Sequence, residues 1–186
     1  METITNMKQN TWTEEKLSRF MGRTNPYAIQ LKNGAYVPIH KNAGKEALSK
    51  HLKGEHTIGS YVIKEDGTVN YGVIDIDCQP EKFEEQKEAL QRLGELIYSF
   101  FPEFSRVLEF SGRRGYHVWV FFEKPERPKF VKELIKVRLK IANLRNIEVF
   151  PKQDSLDGKK LGNLIKIPCG KHKKGGWSTI LKEEWK

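Results

Sequence analysis

The chain has 186 residues, room for one domain with a real core or for two small modules sharing one. It is 38% hydrophobic and 31% charged. No apolar run approaches the roughly 20 residues of a membrane span and no apolar signal-peptide core opens the chain, which excludes a membrane partner and points to a cytoplasmic protein. Lysine and arginine number 33 against 24 acids, a net charge of +9 that suits a polyanionic partner, while only two cysteines, Cys78 and Cys169, exclude a zinc ribbon or a disulfide framework.

In chain order, Thr11-Trp12-Thr13-Glu14 reads as a capping box opening a short helix to about Met21. Tyr27–Leu31 and Ala35–Ile39 flank Asn33-Gly34, a two-residue hairpin signal. A short helix over Lys45–Lys53 stops at Gly54. Thr57–Ile63 and Thr68–Asp77 are expected to form a second hairpin around Glu65-Asp66-Gly67. Pro80 starts a helix with Phe83, Leu90, Leu93, Ile97 and Phe100 at helical spacing. Strands follow at Arg106–Phe110 and Tyr116–Phe122, joined by a glycine turn. A helix over Pro128–Asn143 is expected to bury Phe130, Leu134, Val137 and Ile141. Ile147–Phe150 and Asn163–Ile167 read as strands separated by a polar loop, and the stretch from Gly170 to Gly176 is basic and glycine-rich. From residue 70 onward the order is strand, helix, strand, strand, helix, strand. The fold class expected is therefore α+β, with an RRM-like (split βαβ) core over about 66–186 and a smaller N-terminal α+β module over about 1–65.

Four constellations carry chemistry. Asp75 and Asp77 end the apolar strand Val73–Asp77. Residues i and i+2 share a strand face, so both carboxylates project together, opposite Ile74 and Ile76. Such a pair repels itself and loses hydration, and a bound divalent cation offsets both effects. Ser111-Gly112-Arg113-Arg114-Gly115-Tyr116-His117 has the composition of a phosphate cradle, although an ordinary glycine hairpin with exposed arginines has it too. Glu148, between apolar residues on a short strand, could add a third carboxylate to the pair or be a plain edge-strand acid. Asp154 and Asp157, in the following loop, read as solvated acids. Lys166 lies amid apolar residues and needs an anionic partner, either a triphosphate or Glu148. Lys171, His172, Lys173 and Lys174 form a basic run able to touch a nucleic-acid backbone. Trp12, Tyr27, Tyr36, Tyr71, Tyr116 and Trp119 are candidates for base stacking.

These motifs together resemble the archaeo-eukaryotic primase superfamily, the primase-polymerases. The first motif of that family is an apolar strand ending Asp-x-Asp, here Asp75 and Asp77. The second is close to Ser-Gly-x-x-Gly-x-His, here Ser111 through His117, and the third is an acid on a later strand, matched by Glu148 where the superfamily often has aspartate. The phrases His51-Leu52-Lys53-Gly54, Thr57–Tyr61, Phe150–Gln153 and Gly162–Pro168 look most like the CRISPR-associated branch, with the primases of TOTE conflict systems second. The resemblance implies a single primase-polymerase catalytic domain over 1–186 and template-directed nucleotidyl transfer from dNTPs or NTPs on a single-stranded or primed DNA template. It implies Mg²⁺ or Mn²⁺ held by Asp75, Asp77 and Glu148. It assigns the incoming triphosphate to Ser111, Arg113, Arg114, Gly115, His117 and Lys166. Further domains or CRISPR adaptation proteins are the partners implied by that branch. The rival from another class is a non-catalytic RRM-like RNA-binding module, for which Arg114–Phe121 partly matches the first RNP consensus. A rolling-circle-type nuclease is disfavoured, since His117-Val118-Trp119 supplies one histidine where that chemistry needs a pair.

Overall fold

The computed structural model describes residues 12–156, 158 and 161–186. Its elements are α1 (Glu14–Ser18), β1 (Tyr27–Gln30), β2 (Tyr36–Ile39), α2 (Lys45–Leu52), β3 (Ile58–Tyr61), β4 (Val69–Asp77), a 3-10 turn (Pro80–Lys82), α3 (Phe83–Ser99), β5 (Ser105–Phe110), β6 (Gly115–Glu126), α4 (Pro128–Ile141), β7 (Glu148–Phe150), β8 (Leu164–Lys166) and β9 (Thr179–Glu184). The strands form two sheets, ordered β2-β1-β3-β8 and β7-β4-β6-β5-β9. Every pairing is antiparallel.

The five-stranded sheet has two unlike faces. Alternation along β4 and β6 sends Gly72, Ile74, Ile76, Tyr116 and Val118 to the side covered by α3 and α4. Gly72 is what lets α4 approach: a Cβ there would collide with Ile135 Cδ1 and lie 2.8 Å from Val131 Cγ1. Gly94 of α3 packs likewise over Leu108 of β5. The opposite face carries Tyr71, Val73, Trp119 and Phe121. They pack against the N-terminal segment through Phe20, whose ring centroid lies 4.9 Å from that of Trp119 and 5.2 Å from that of Phe121. The Tyr71 hydroxyl donates to the Phe20 carbonyl (3.0 Å), which satisfies a buried polar atom inside this core. One hydrophobic cluster contains residues of both sheets.

Several expectations are corrected. Thr13, not Thr11, is the N-cap of α1: its hydroxyl accepts from the Lys16 N–H (3.3 Å), and the helix ends at Ser18; Thr11 lies outside the described residues. The Asn33-Gly34 hairpin exists, but five residues separate its strands. Leu31 N–H donates to the Ala35 carbonyl (2.8 Å), and Gly34 takes the positive φ of +88° that the loop requires. The expected second hairpin does not form. Lys64–Thr68 makes a tight turn, but β3 stays in the first sheet while β4 crosses into the second. Helix α4 buries Val131, Ile135 and Leu139, not the expected stripe, leaving Phe130, Val137 and Ile141 exposed. The segment has apolar residues on both sides, and spacing alone does not choose between them. Strand β8 joins the first sheet beside β3, and β9, unforeseen in the sequence, closes the far edge of the second beside β5.

Candidate active site

Strand β4 runs between β7 and β6, so each of its residues has a cross-strand neighbour on both sides. At Asp75 the register reads Glu148, Asp75, His117, Glu109 across β7, β4, β6 and β5. Residues in register share a face, so one row carries three carboxylates and an imidazole. This row continues the core face of the sheet, beyond Val73 and Trp119. Asp77 projects from the same face two residues on, opposite Gly115. A Cβ on Gly115 would collide with the Ile76 carbonyl and lie 2.8 Å from the Asp77 Cβ, so glycine is what lets β6 begin beside Asp77.

The acids differ in surroundings. The Asp75 side chain is 19% exposed, those of Asp77 and Glu148 42% and 47%. Burial holds the Asp75 carboxyl above its usual range, reinforced by the charges of Asp77 and Glu148 and opposed by His117. Asp77 is paired with Arg114 (2.7 Å), and Glu148 with Lys152 (2.5 Å).

Beside the row lies a buried polar knot. Glu109 is fully buried and accepts from Lys166 Nζ (3.0 Å), Trp119 Nε1 (2.9 Å) and His117 Nδ1 (3.1 Å), with a further hydrogen bond from the Ser178 hydroxyl. Burial by itself would favour the neutral acid. The Lys166 and His117 charges and these hydrogen bonds overcome it, and the carboxyl is held down at about 2. Burial would equally discharge His117, but Glu109 and Asp75 on its two sides raise its pKa above the ordinary value. The His117 Nε2 lies 3.6 Å from Asp75 Oδ1.

The turn after β5 is braced by the chain after β8. Gly112, at φ +87°, accepts from the Gly176 N–H (2.6 Å), and a Cβ on Gly112 would lie 2.7 Å from the Gly176 carbonyl. His172 sits in this second segment. Burial together with the charges of Lys166, Arg113, Lys174 and His117 pulls its pKa down to about 4. The ring's direct partners are the Lys174 N–H, which donates to Nδ1 (3.0 Å), and the Gln30 amide nitrogen at Nε2 (3.4 Å).

A family model described as the archaeo-eukaryotic primase domain of TOTE conflict systems matches residues 9–186. The chain belongs to this family. The AEP domain of the cyanophage S-2L primase-polymerase shares its fold with a TM-score of 0.53 at 11% identity, over 97% of this chain and 91% of that one. A search of curated proteins found no match. Archaeo-eukaryotic primase domains are nucleotidyltransferases, and membership places the chain in that enzyme class. The superfamily read from the three motifs is thus the right one. The matching branch is that of TOTE systems, second in the sequence reading to the CRISPR-associated one.

In this primase domain the structure brings Asp75, Glu148 and His117 into one row with Asp77 beside it, and the charges of Lys166, Arg113, Lys174 and His117 all act on His172. Arg114 turns to Asp77. The partner of Lys166 is Glu109, not Glu148. Lys173 is drawn inward: its ammonium donates to the Gly54 and Glu55 carbonyls (3.3 and 2.9 Å) and its N–H to Gln30 Oε1 (3.0 Å). Lys171 is exposed and its carbonyl accepts from the Thr57 hydroxyl. Asp154 pairs with Lys132, and Asp157 lies outside the described residues. Five of the six aromatics considered for base stacking, Trp12, Tyr27, Tyr71, Tyr116 and Trp119, are buried and offer no stacking surface; Tyr36 is partly exposed. Among the described residues no helix is long and apolar enough to cross a membrane.

Glu109 was not anticipated. Its signal was present: an acid between Leu108 and Phe110 on a strand, joined by a short turn to His117. Pairing Phe110 with Tyr116 places Glu109 opposite His117.

As arranged, no three His, Cys, Asp or Glu side chains among the described residues form a closed metal cluster. The donor chemistry nevertheless fits a hard divalent cation: three carboxylates at neighbouring positions on one face, one of them buried and raised by the other two. The two outer acids are held aside only by exposed ion pairs, each worth about 0–1 kcal/mol, so a cation can recruit them at little expense.

Proposed function

We propose that the chain is a template-directed primase-polymerase that transfers nucleotides from dNTPs or NTPs to a 3′-hydroxyl and can start primers by using a second nucleotide as the acceptor. The observation that carries this reading is the register of Asp75 between Glu148 and His117, with Asp77 alongside. A single catalytic domain over 1–186 with an RRM-like core goes with it. The sheet order β7-β4-β6-β5, with α3 and α4 on one face, is what a split βαβ unit produces, and it supports that description.

Asp75, Asp77 and Glu148 would hold Mg²⁺ or Mn²⁺, which when bound supplies Lewis-acid activation of the hydroxyl and neutralises charge on the triphosphate and its pyrophosphate leaving group. Arg113, Arg114, His117 and Lys166, with the Ser111–Gly115 turn, orient the triphosphate in line with the acceptor. Their positive charge attracts the triphosphate in the ground state and is retained through the transition state. Arg114 fits this role by moving from Asp77 to phosphate once Asp77 is otherwise engaged. The net charge of +9 supports docking of a DNA template through its phosphates.

The test is dNTP incorporation on a primed DNA template. The Asp75→Ala/Asp77→Ala protein should lose incorporation to background while keeping the wild-type circular dichroism spectrum. Incorporation at the wild-type rate by the folded double variant would overturn the catalytic assignment.

A further inference from the structure

Glu109 is the one fully buried carboxylate of the row and the only one that no bound substrate could reach. Its partners come from three separate stretches of chain. His117 and Trp119 belong to β6, Lys166 to β8 of the other sheet, and Ser178 to the segment before β9. The two carboxylate oxygens divide the work: Oε1 takes the Lys166 ammonium, and Oε2 takes both His117 Nδ1 and Trp119 Nε1. Lys166 is fixed further by donating to the Ile167 carbonyl (3.0 Å). With Nδ1 engaged, the imidazole of His117 has one free nitrogen, Nε2, and it faces Asp75. The Trp119 indole adds a rigid third arm, since it is itself locked in the aromatic core by Tyr71 and Phe20.

We propose that Glu109 is a positioning residue for the proposed triphosphate site: one buried carboxylate fixes the His117 imidazole and the Lys166 ammonium relative to Asp75, so that both are set in place before a polyphosphate binds. Glu109 itself touches neither substrate nor cation. The proposal rests on the nucleotide-binding reading above, but it is read through anion binding, which requires no turnover.

The probe is inorganic tripolyphosphate, titrated calorimetrically into wild type, Glu109→Asp and Glu109→Gln. Aspartate keeps the charge and withdraws the carboxylate by one methylene. Glutamine keeps the shape but replaces one acceptor with a donor that must confront either Lys166 or His117. Each should weaken tripolyphosphate binding by about tenfold, the worth of a charge-assisted hydrogen bond. In the incorporation assay the same factor should appear in the KM for dNTP, with kcat changed less than about threefold, because the fixed groups act on the bound ground state as well. A glutamine variant that does not fold leaves the aspartate variant, and if neither folds the wild-type protein decides alone. Its His117 Nδ1–H proton should then give a downfield, exchange-protected NMR resonance showing contact with the Trp119 indole N–H.

A folded Glu109→Asp protein with unchanged tripolyphosphate affinity overturns the proposal, and so does a His117 ring in wild type with no Nδ1–H. Wild type that binds tripolyphosphate but incorporates no nucleotide would remove the polymerase reading and leave the role of Glu109 standing.

Discussion

His51 is held between two backbone segments: Nδ1 accepts from the Ile58 N–H (2.9 Å) and Nε2–H donates to the Pro168 carbonyl (2.9 Å). Both nitrogens are satisfied only in the neutral ring. Burial, with the Lys166 charge added, pulls its pKa down to about 3, against the weaker opposing pull of Glu109. The unfolded chain binds a proton at His51 near pH 6.5, while the folded chain does so only near pH 3. The stabilisation is therefore complete above about pH 6.5 and is lost as pH falls toward 3. Between pH 6.5 and 4.5 about 2–3 kcal/mol disappears, at 1.36 kcal/mol per unit. The stability advantage of wild type over His51→Phe, measured by urea unfolding, should thus shrink by that amount from pH 7 to pH 4.5. A constant difference would mean that the ring is not held neutral. His117 does not disturb this window: its folded pKa is raised, so its contribution is present below pH 6.5 and is lost only as pH rises through the folded value.

At the scale of elements, α4 shows where sequence reading stops. Its residues 128–141 place apolar side chains on two stripes, one through Phe130, Leu134, Val137 and Ile141, the other through Val131, Ile135 and Leu139. Periodicity identifies the helix; the choice of face is made by Gly72 on β4, the gap into which Val131 and Ile135 fit. Ile135→Ala should cost about 2–5 kcal/mol in chemical denaturation. Gly72→Ala should cost about 1–3 kcal/mol by pushing α4 off the sheet, and Val137→Ala, 54% exposed, should stay within about 0.5 kcal/mol. A large loss at Val137 with none at Ile135 would reverse the assignment of faces. Long-range pairing is also what the second hairpin lacked: the Asp66-Gly67 turn signal was sound, yet the strands on either side found different sheets. The placement of the candidate residues was more legible than the fold around them. The aspartate pair, the glycine turn and the Glu148 strand are local patterns, and antiparallel alternation predicts which way they point. Glu109 went unread because its meaning depends on Lys166 and Ser178, which arrive from far along the chain.

At the scale of the whole molecule, chain order and sheet order disagree, and that has a thermodynamic consequence. The first sheet takes three strands from residues 27–61 and its fourth, β8, from residues 164–166. Lys166 enters that sheet carrying a buried charge whose partner, Glu109, belongs to the other sheet. Unfolding either sheet alone would break this ion pair, which is buried only while the two sheets are packed together. It would also open the hydrophobic cluster that contains residues of both sheets. The sheets share an ion pair and a hydrophobic cluster, so partial unfolding of either disturbs both. Heat should therefore unfold the protein in one transition, with calorimetric and van't Hoff enthalpies equal and with tryptophan fluorescence and far-ultraviolet dichroism changing together. Replacing the ion pair by Glu109→Gln/Lys166→Met removes this tie between the sheets, and this variant should show the first loss of coincidence between the two probes. Two resolved transitions in wild type would mean that the seam transmits nothing, and that the sheets merely touch.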